Sequence, residues 1–115
     1  MGRQFFSQAG FLQFEIVFGD PAANLAQIKG LLDGLAPAKK AIVVLPELWA
    51  YGFDYDHVED LAEQTPSLLQ QLTSLAAQWN VFLAGSLLEK QGDGEQGTFI
   101  YNTLYFVGPE GVLGA

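Results

Sequence analysis

The sequence predicts an α/β domain whose elements run β-α-β-α-β-β. Three observations carry that prediction. Ala41-Ile42-Val43-Val44-Leu45 is a short apolar run without internal Gly or Pro, the pattern of a strand buried on both faces. Val81–Leu87 repeats the pattern. Between and before these runs lie two segments with apolar residues at helical spacing, each opened by a Pro placed where a helix begins.

Taken in order, residues 1–10 mix small, polar and aromatic side chains and read as a ragged start. Phe11 to Val17 alternates, with Leu12, Phe14 and Ile16 on one face and Gln13 and Glu15 on the other, which predicts a strand. Asp20 then caps a helix and Pro21 occupies its first position. Leu25, Ile28, Leu32 and Leu35 form its apolar stripe, and Gly34 and Pro37 close it. Pro46 ends the strand Ala41–Leu45 because it has no N–H to donate, which leaves Glu47 aimed outward from the strand's C-terminal end. Trp49 to Tyr55 reads as an aromatic loop over the strand ends, followed by a short acidic helix from Asp56 to Glu63. A second long helix starts at Thr65-Pro66, with Thr65 as cap and Leu68, Leu72, Leu75, Ala76 and Trp79 facing inward. Gly92 to Gly97 is a hairpin loop leading into an aromatic strand, Phe99 to Val107, read as core. Gly108-Pro109-Glu110-Gly111 is a turn, and Val112-Leu113 begin one further element.

Composition narrows the functional classes. The chain has 115 residues, enough for one modest domain. Half of it is hydrophobic and only 16% is charged, against a usual charged share of about a quarter. Little polar surface is left over, so either much of the chain is buried or it belongs to something larger. The net charge is −8 with five basic residues, so neither nucleic acid nor an anionic membrane surface is an expected partner. No apolar stretch is long enough to cross a membrane. No signal peptide is read at the N-terminus, and the cytoplasm is the expected compartment. There is no Cys and one His. This chain therefore contains no disulfide framework, thiolate metal site or cysteine nucleophile, and no metal or other cofactor is expected.

Glu47 is the leading candidate for chemistry. A carboxylate at the C-terminal end of a buried strand lies where open α/β sheets meet their ligands. It is either a solvated or lysine-paired strand-end charge, or a general base held on a rigid strand among aromatic residues. A base needs a nucleophile or a water to act on, and neither is evident locally. His57, among Asp54, Asp56, Glu59 and Asp60, reads as a solvated helix face. Asp93 and Glu95 do not supply the ligand run of a calcium loop, and a mobile hairpin is the expected reading there. No Gly-rich phosphate cradle is present. Asn102, between aromatics, reads as bonding backbone at a strand irregularity.

The ordered set of motifs resembles the N-terminal part of the nitrilase superfamily of carbon–nitrogen hydrolases. It comprises Gly19-Asp20-Pro21-Ala22-Ala23-Asn24-Leu25 after an opening strand, Leu45-Pro46-Glu47-Leu48 with Gly52-Phe53, Ala84-Gly85-Ser86, Tyr101-Asn102-Thr103, and Pro109-Glu110-Gly111. The Pro-Glu-Leu-Trp and Gly-Phe context looks most like the omega-amidase-like branch. The resemblance covers residues 11–115, as the N-terminal part of such a domain. It implies part of an α-β-β-α sandwich and a Glu-Lys-Cys triad, with Glu47 on the position of the glutamate that takes the thiol proton. It also implies a small-molecule amide substrate and, in the parent enzyme, a homo-oligomer. Lys29, Lys39, Lys40 and Lys90 do not lie in the family's lysine context, and the cysteine is absent. The chain is thus expected to be a truncated, inactive portion of its parent. The competing readings are a non-catalytic nitrilase-like interaction module and an unrelated small α/β binding domain. A reading frame continuing past Ala115 into a Tyr-x-Lys segment and a Cys separates the first reading from the other two.

Overall fold

A computed structural model describes residues 6–92 and 97–115. Its elements are β1 (Ala9–Phe11), α1 (Pro21–Leu35), β2 (Ile42–Val44), a 3₁₀ turn (Tyr55–His57), α2 (Val58–Glu63), α3 (Thr65–Trp79), β3 (Phe82–Gln91), β4 (Phe99–Gly108) and β5 (Gly111–Gly114). The five strands form one sheet in sequence order. The β1/β2 and β2/β3 pairs are parallel, whereas β3/β4 and β4/β5 are antiparallel. This is the expected α/β order, with the short helix α2 and the strand β5 added as formed elements.

The helices start and stop for local reasons. Asp20 Oδ1 accepts the Ala23 N–H at 3.1 Å, and Pro21 follows at a position where its missing N–H costs nothing. Helix α1 ends one residue beyond Gly34, with Ala36 left-handed (φ 45°) and its N–H returned to the Leu32 carbonyl at 2.8 Å. Leu25, Ile28 and Leu32 are buried but Leu35, at the frayed end of the expected stripe, is exposed. Helix α3 buries Leu68, Leu72, Leu75 and Ala76, with Trp79 half-buried. Its cap is Gln64 rather than Thr65, because the Thr65 hydroxyl is already committed to the Leu88 carbonyl at 2.6 Å.

Both helices cover the same face of the sheet. Val43, Leu83 and Val107 lie side by side in register and are all buried against them. The opposite face carries the next register row, Phe11, Val44, Ala84 and Phe106, together with Leu104. There Phe11 is 69%, Val44 45% and Leu104 61% exposed. The expectation that β2 is buried on both faces is therefore corrected: among the described residues only one face has a covering layer. Phe6 partly shields the other by packing edge-on against Phe82, which stacks on Phe106. The extents of 46 × 35 × 18 Å fit a slab of one helix layer on one sheet. No described helix is long and apolar enough to cross a membrane.

The first strand also differs from its expected span, 11–17. The Leu12 N–H makes the last bond to β2, at the Val44 carbonyl, 2.9 Å away. Beyond it β2 reaches Pro46 and turns away, so the rest of the alternating segment has no ladder to join. Its alternation survives in burial, with Leu12, Phe14 and Ile16 inward and Gln13 and Glu15 exposed. Asn24, fully buried, replaces the missing partner strand. It accepts the Val17 N–H at 2.7 Å and donates to the carbonyls of Val17 and Ala50 at 2.8 and 2.6 Å. The aromatic strand is core only toward its end: Tyr105 is buried, whereas Phe99 and Tyr101 are about half exposed.

Candidate active site

Past Pro46 the chain makes a tight elbow rather than an open loop. Trp49, Ala50 and Tyr51, expected to lie over the strand ends, are completely buried. Leu48 takes a left-handed conformation (φ 47°), which costs a non-glycine residue roughly 1–2 kcal/mol. Hydrogen bonds hold it there. Its N–H donates to Ser86 Oγ at 2.8 Å, and its carbonyl accepts from Gly52 N–H at 2.8 Å and Tyr51 N–H at 3.2 Å. Gly52 (φ 71°) then turns the chain again.

The elbow is stapled to β3 by a closed ring of hydroxyls. The Leu88 N–H donates to the Tyr51 hydroxyl, and Thr65 donates its only hydroxyl proton to the Leu88 carbonyl. Tyr51 is therefore the donor in its 3.5 Å contact with Thr65 Oγ1. Burial pushes the Tyr51 phenol above its ordinary range, which keeps that proton in place. Gly85 on β3 lets the elbow come close, since a Cβ there would lie 2.8 Å from Trp49 Cδ1.

These constraints leave Glu47 exposed at the C-terminal end of β2, on the rim of a cleft of about 350 Å³ lined also by Leu45, Ser86, Asn102 and Leu104. Asn102 Nδ2 donates to Glu47 Oε1 at 2.7 Å. This overturns the expectation that Asn102 bonds backbone at a strand irregularity. The β4 irregularity lies at Phe106/Val107, where β5 pairs, while Asn102 sits in regular register with Leu88 and points its amide into the cleft. Nothing local in the sequence links residues 55 positions apart; only the β2-β3-β4 order joins them.

The other candidates stand apart. His57, on the solvated face expected of it, pairs with Asp54 at 2.9 Å, and that carboxylate lifts the imidazole pKa above its ordinary value. Lys90 pairs with Glu63 at 3.2 Å. Lys40 lines a separate cleft beyond the opposite, N-terminal end of β2. No described lysine lines the Glu47 cleft. Asp93 and Glu95 lie outside the described residues. A wider groove of about 570 Å³ runs past Glu63, Thr65, Glu89 and Tyr105, but its charges are engaged by Lys90 and Thr103. Glu47 is the carboxylate that lines the cleft at the C-terminal end of β2.

Comparison with known proteins identifies the family and the fold. The sequence profile of the carbon–nitrogen hydrolase family matches residues 8–115. The 2-oxoglutaramate amidase of Bacillus subtilis (strain 168) is 32% identical over 106 residues, 89% of this chain and 38% of that protein. A hydrolase in the agr operon of Staphylococcus aureus is 31% identical over 103 residues, 88% of this chain and 38% of that one. Among solved structures, a carbon–nitrogen hydrolase superfamily protein from Xanthomonas campestris superposes with a TM-score of 0.68 at 24% identity, over 85% of this chain and 35% of the other. The NitN amidase from Neterenkonia sp. AN1 gives 0.67 at 21% identity, over 90% and 40%. The chain thus spans 38% of the length of these two curated relatives.

Proposed function

The chain belongs to the carbon–nitrogen hydrolase family, and on that premise we propose that it forms the first part of an amidase in which Glu47 is the general base. The observation that carries the reading is Glu47 at the end of a central parallel strand, held at 2.7 Å by Asn102 on the rim of a cleft. The nucleophile and the cation come from sequence outside these 115 residues, a cysteine and a lysine. Glu47 takes the thiol proton as sulfur attacks the amide carbon. The lysine stabilises the charge that develops on the carbonyl oxygen. When the carbon–nitrogen bond breaks, Glu47 returns the proton to the departing ammonia and a thioester remains. Glu47 then deprotonates the water that attacks the thioester, and the acid and the thiol are released.

The substrate class is a small primary amide. The similarity to a 2-oxoglutaramate amidase favours the monoamide of a 2-oxo dicarboxylic acid. Ammonia release from 2-oxoglutaramate tests the proposal. The full-length protein turns it over, and the 115-residue chain alone does not, because Glu47 has no thiol to deprotonate. Turnover by the short chain that disappears in Glu47→Gln contradicts the cysteine mechanism.

A further inference from the structure

We propose that Asn102 is a positioning residue for Glu47, its carboxamide holding one carboxylate oxygen so that the other is left to exchange protons. The proposal rests on the general-base reading of Glu47 and deepens it. Glu47 has a long side chain, sits beyond the last ladder bond of β2 and is exposed, so its backbone alone does not determine where its carboxylate points. Asn102 is anchored differently. It lies within the long β3/β4 ladder, where pairing runs without interruption from Leu83–Val107 to Gln91–Phe99.

From that rigid base its Nδ2 reaches Glu47 Oε1 at 2.7 Å, the short distance of a charge-assisted bond. Among the described residues Oε2 has no hydrogen-bond partner. The other polar side chain on the cleft wall, Ser86, accepts the Leu48 N–H and, among the described residues, makes no hydrogen bond to Glu47. A carboxamide suits this task, because its N–H donates to a carboxylate without taking up a proton itself. Glu47 is thereby held between two anchors on β3 and β4: Ser86 positions its backbone through Leu48, and Asn102 positions its side chain.

The test compares Asn102→Leu, Asn102→Asp and Asn102→Gln with Glu47→Gln in the full-length protein, reading kcat and KM separately. Losing the donor should lower kcat on the order of 10²-fold, the scale of an ångström-level misplacement, with KM little changed. Asn102→Asp should be worse than Asn102→Leu although it is the closer match in shape, because it sets a second carboxylate against the first. Asn102→Gln, which keeps a donor, should recover part of the loss. A role in packing alone predicts the reverse order, with Asp tolerated and Leu harmful. Should Asn102→Leu fail to fold, the Asp and Gln variants decide. Wild-type kcat in Asn102→Asp, or a loss confined to KM, overturns the positioning role while Glu47→Gln still abolishes turnover. Wild-type kcat in Glu47→Gln overturns the general-base reading itself, and the positioning role with it.

Discussion

Ser86 is nearly buried, and its hydroxyl oxygen is the acceptor that holds the Leu48 N–H in its left-handed bend. Removing it leaves a buried donor unpaired, which costs about 1–3 kcal/mol. Ser86→Ala in the full-length protein should therefore lower stability by that amount in denaturant unfolding, and a change near zero would mean that the bend holds itself. His57 gives a second residue-scale prediction. Its pKa is raised chiefly by the hydrogen bond it donates to Asp54 and by that carboxylate's charge. A raised histidine pKa means that the pair stabilises the fold where the ring is protonated, below the pKa of the unfolded chain. The contribution is lost as pH rises through the raised folded value. Proton NMR should find the His57 midpoint above its ordinary value in the native protein and shifted back down in Asp54→Asn. An unchanged midpoint in that variant would remove Asp54 as the cause.

Among the elements, the elbow between β2 and α2 matters most, because it sets Glu47 on the rim of the cleft. Its closeness to β3 depends on Gly85. A methyl group there would sit 2.8 Å from Trp49 Cδ1 and 3.0 Å from Leu45 Cβ, both rigidly packed. Gly85→Ala should cost about 1–3 kcal/mol as overpacking. It should also displace Glu47 and lower kcat, whereas an unchanged Tm and kcat would show that the elbow yields freely. The strand and helix pattern was legible in the sequence because it depends on local rules: apolar runs, helical spacing, Asp20-Pro21 and the two-residue turn Pro109-Glu110. The position of Glu47 at the strand end was legible because Pro46 marks that end just before it. The long-range pairings were not. The Asn102–Glu47 bond, the Ser86 anchor and the Tyr51–Thr65–Leu88 ring depend on which strands are neighbours, and no local spacing encodes that. The burial of Trp49 to Tyr51 was missed for a related reason, since an aperiodic aromatic stretch has the same composition in an open loop and in a packed elbow.

At the scale of the molecule, the helices occupy one face of the sheet and leave an apolar row on the other. Phe11, Val44 and Leu104 each forgo part of the roughly 1.5–3 kcal/mol that full burial supplies, in a domain whose net stability is on the order of 5–15 kcal/mol. The 115-residue chain by itself should therefore self-associate or lose fixed packing. Size-exclusion chromatography with proton–nitrogen NMR checks this, and a sharp monomer peak with fully dispersed resonances would refute it. That face and the Glu47 cleft are neighbouring parts of one surface, since Leu104 belongs to both. A layer that covers the apolar row would also close over the carboxylate and exclude water from it, which strengthens every electrostatic interaction there. The proposed hydrolysis requires Glu47 to act as a proton acceptor in that setting. Glu47→Gln keeps the shape and the capacity to meet Asn102 but cannot take a proton. The most direct test is kcat of this variant for amide hydrolysis in the full-length protein, with folding verified by circular dichroism. A loss of about 10²–10⁴-fold is expected; a kcat near that of the unmodified protein would contradict the general-base role of Glu47.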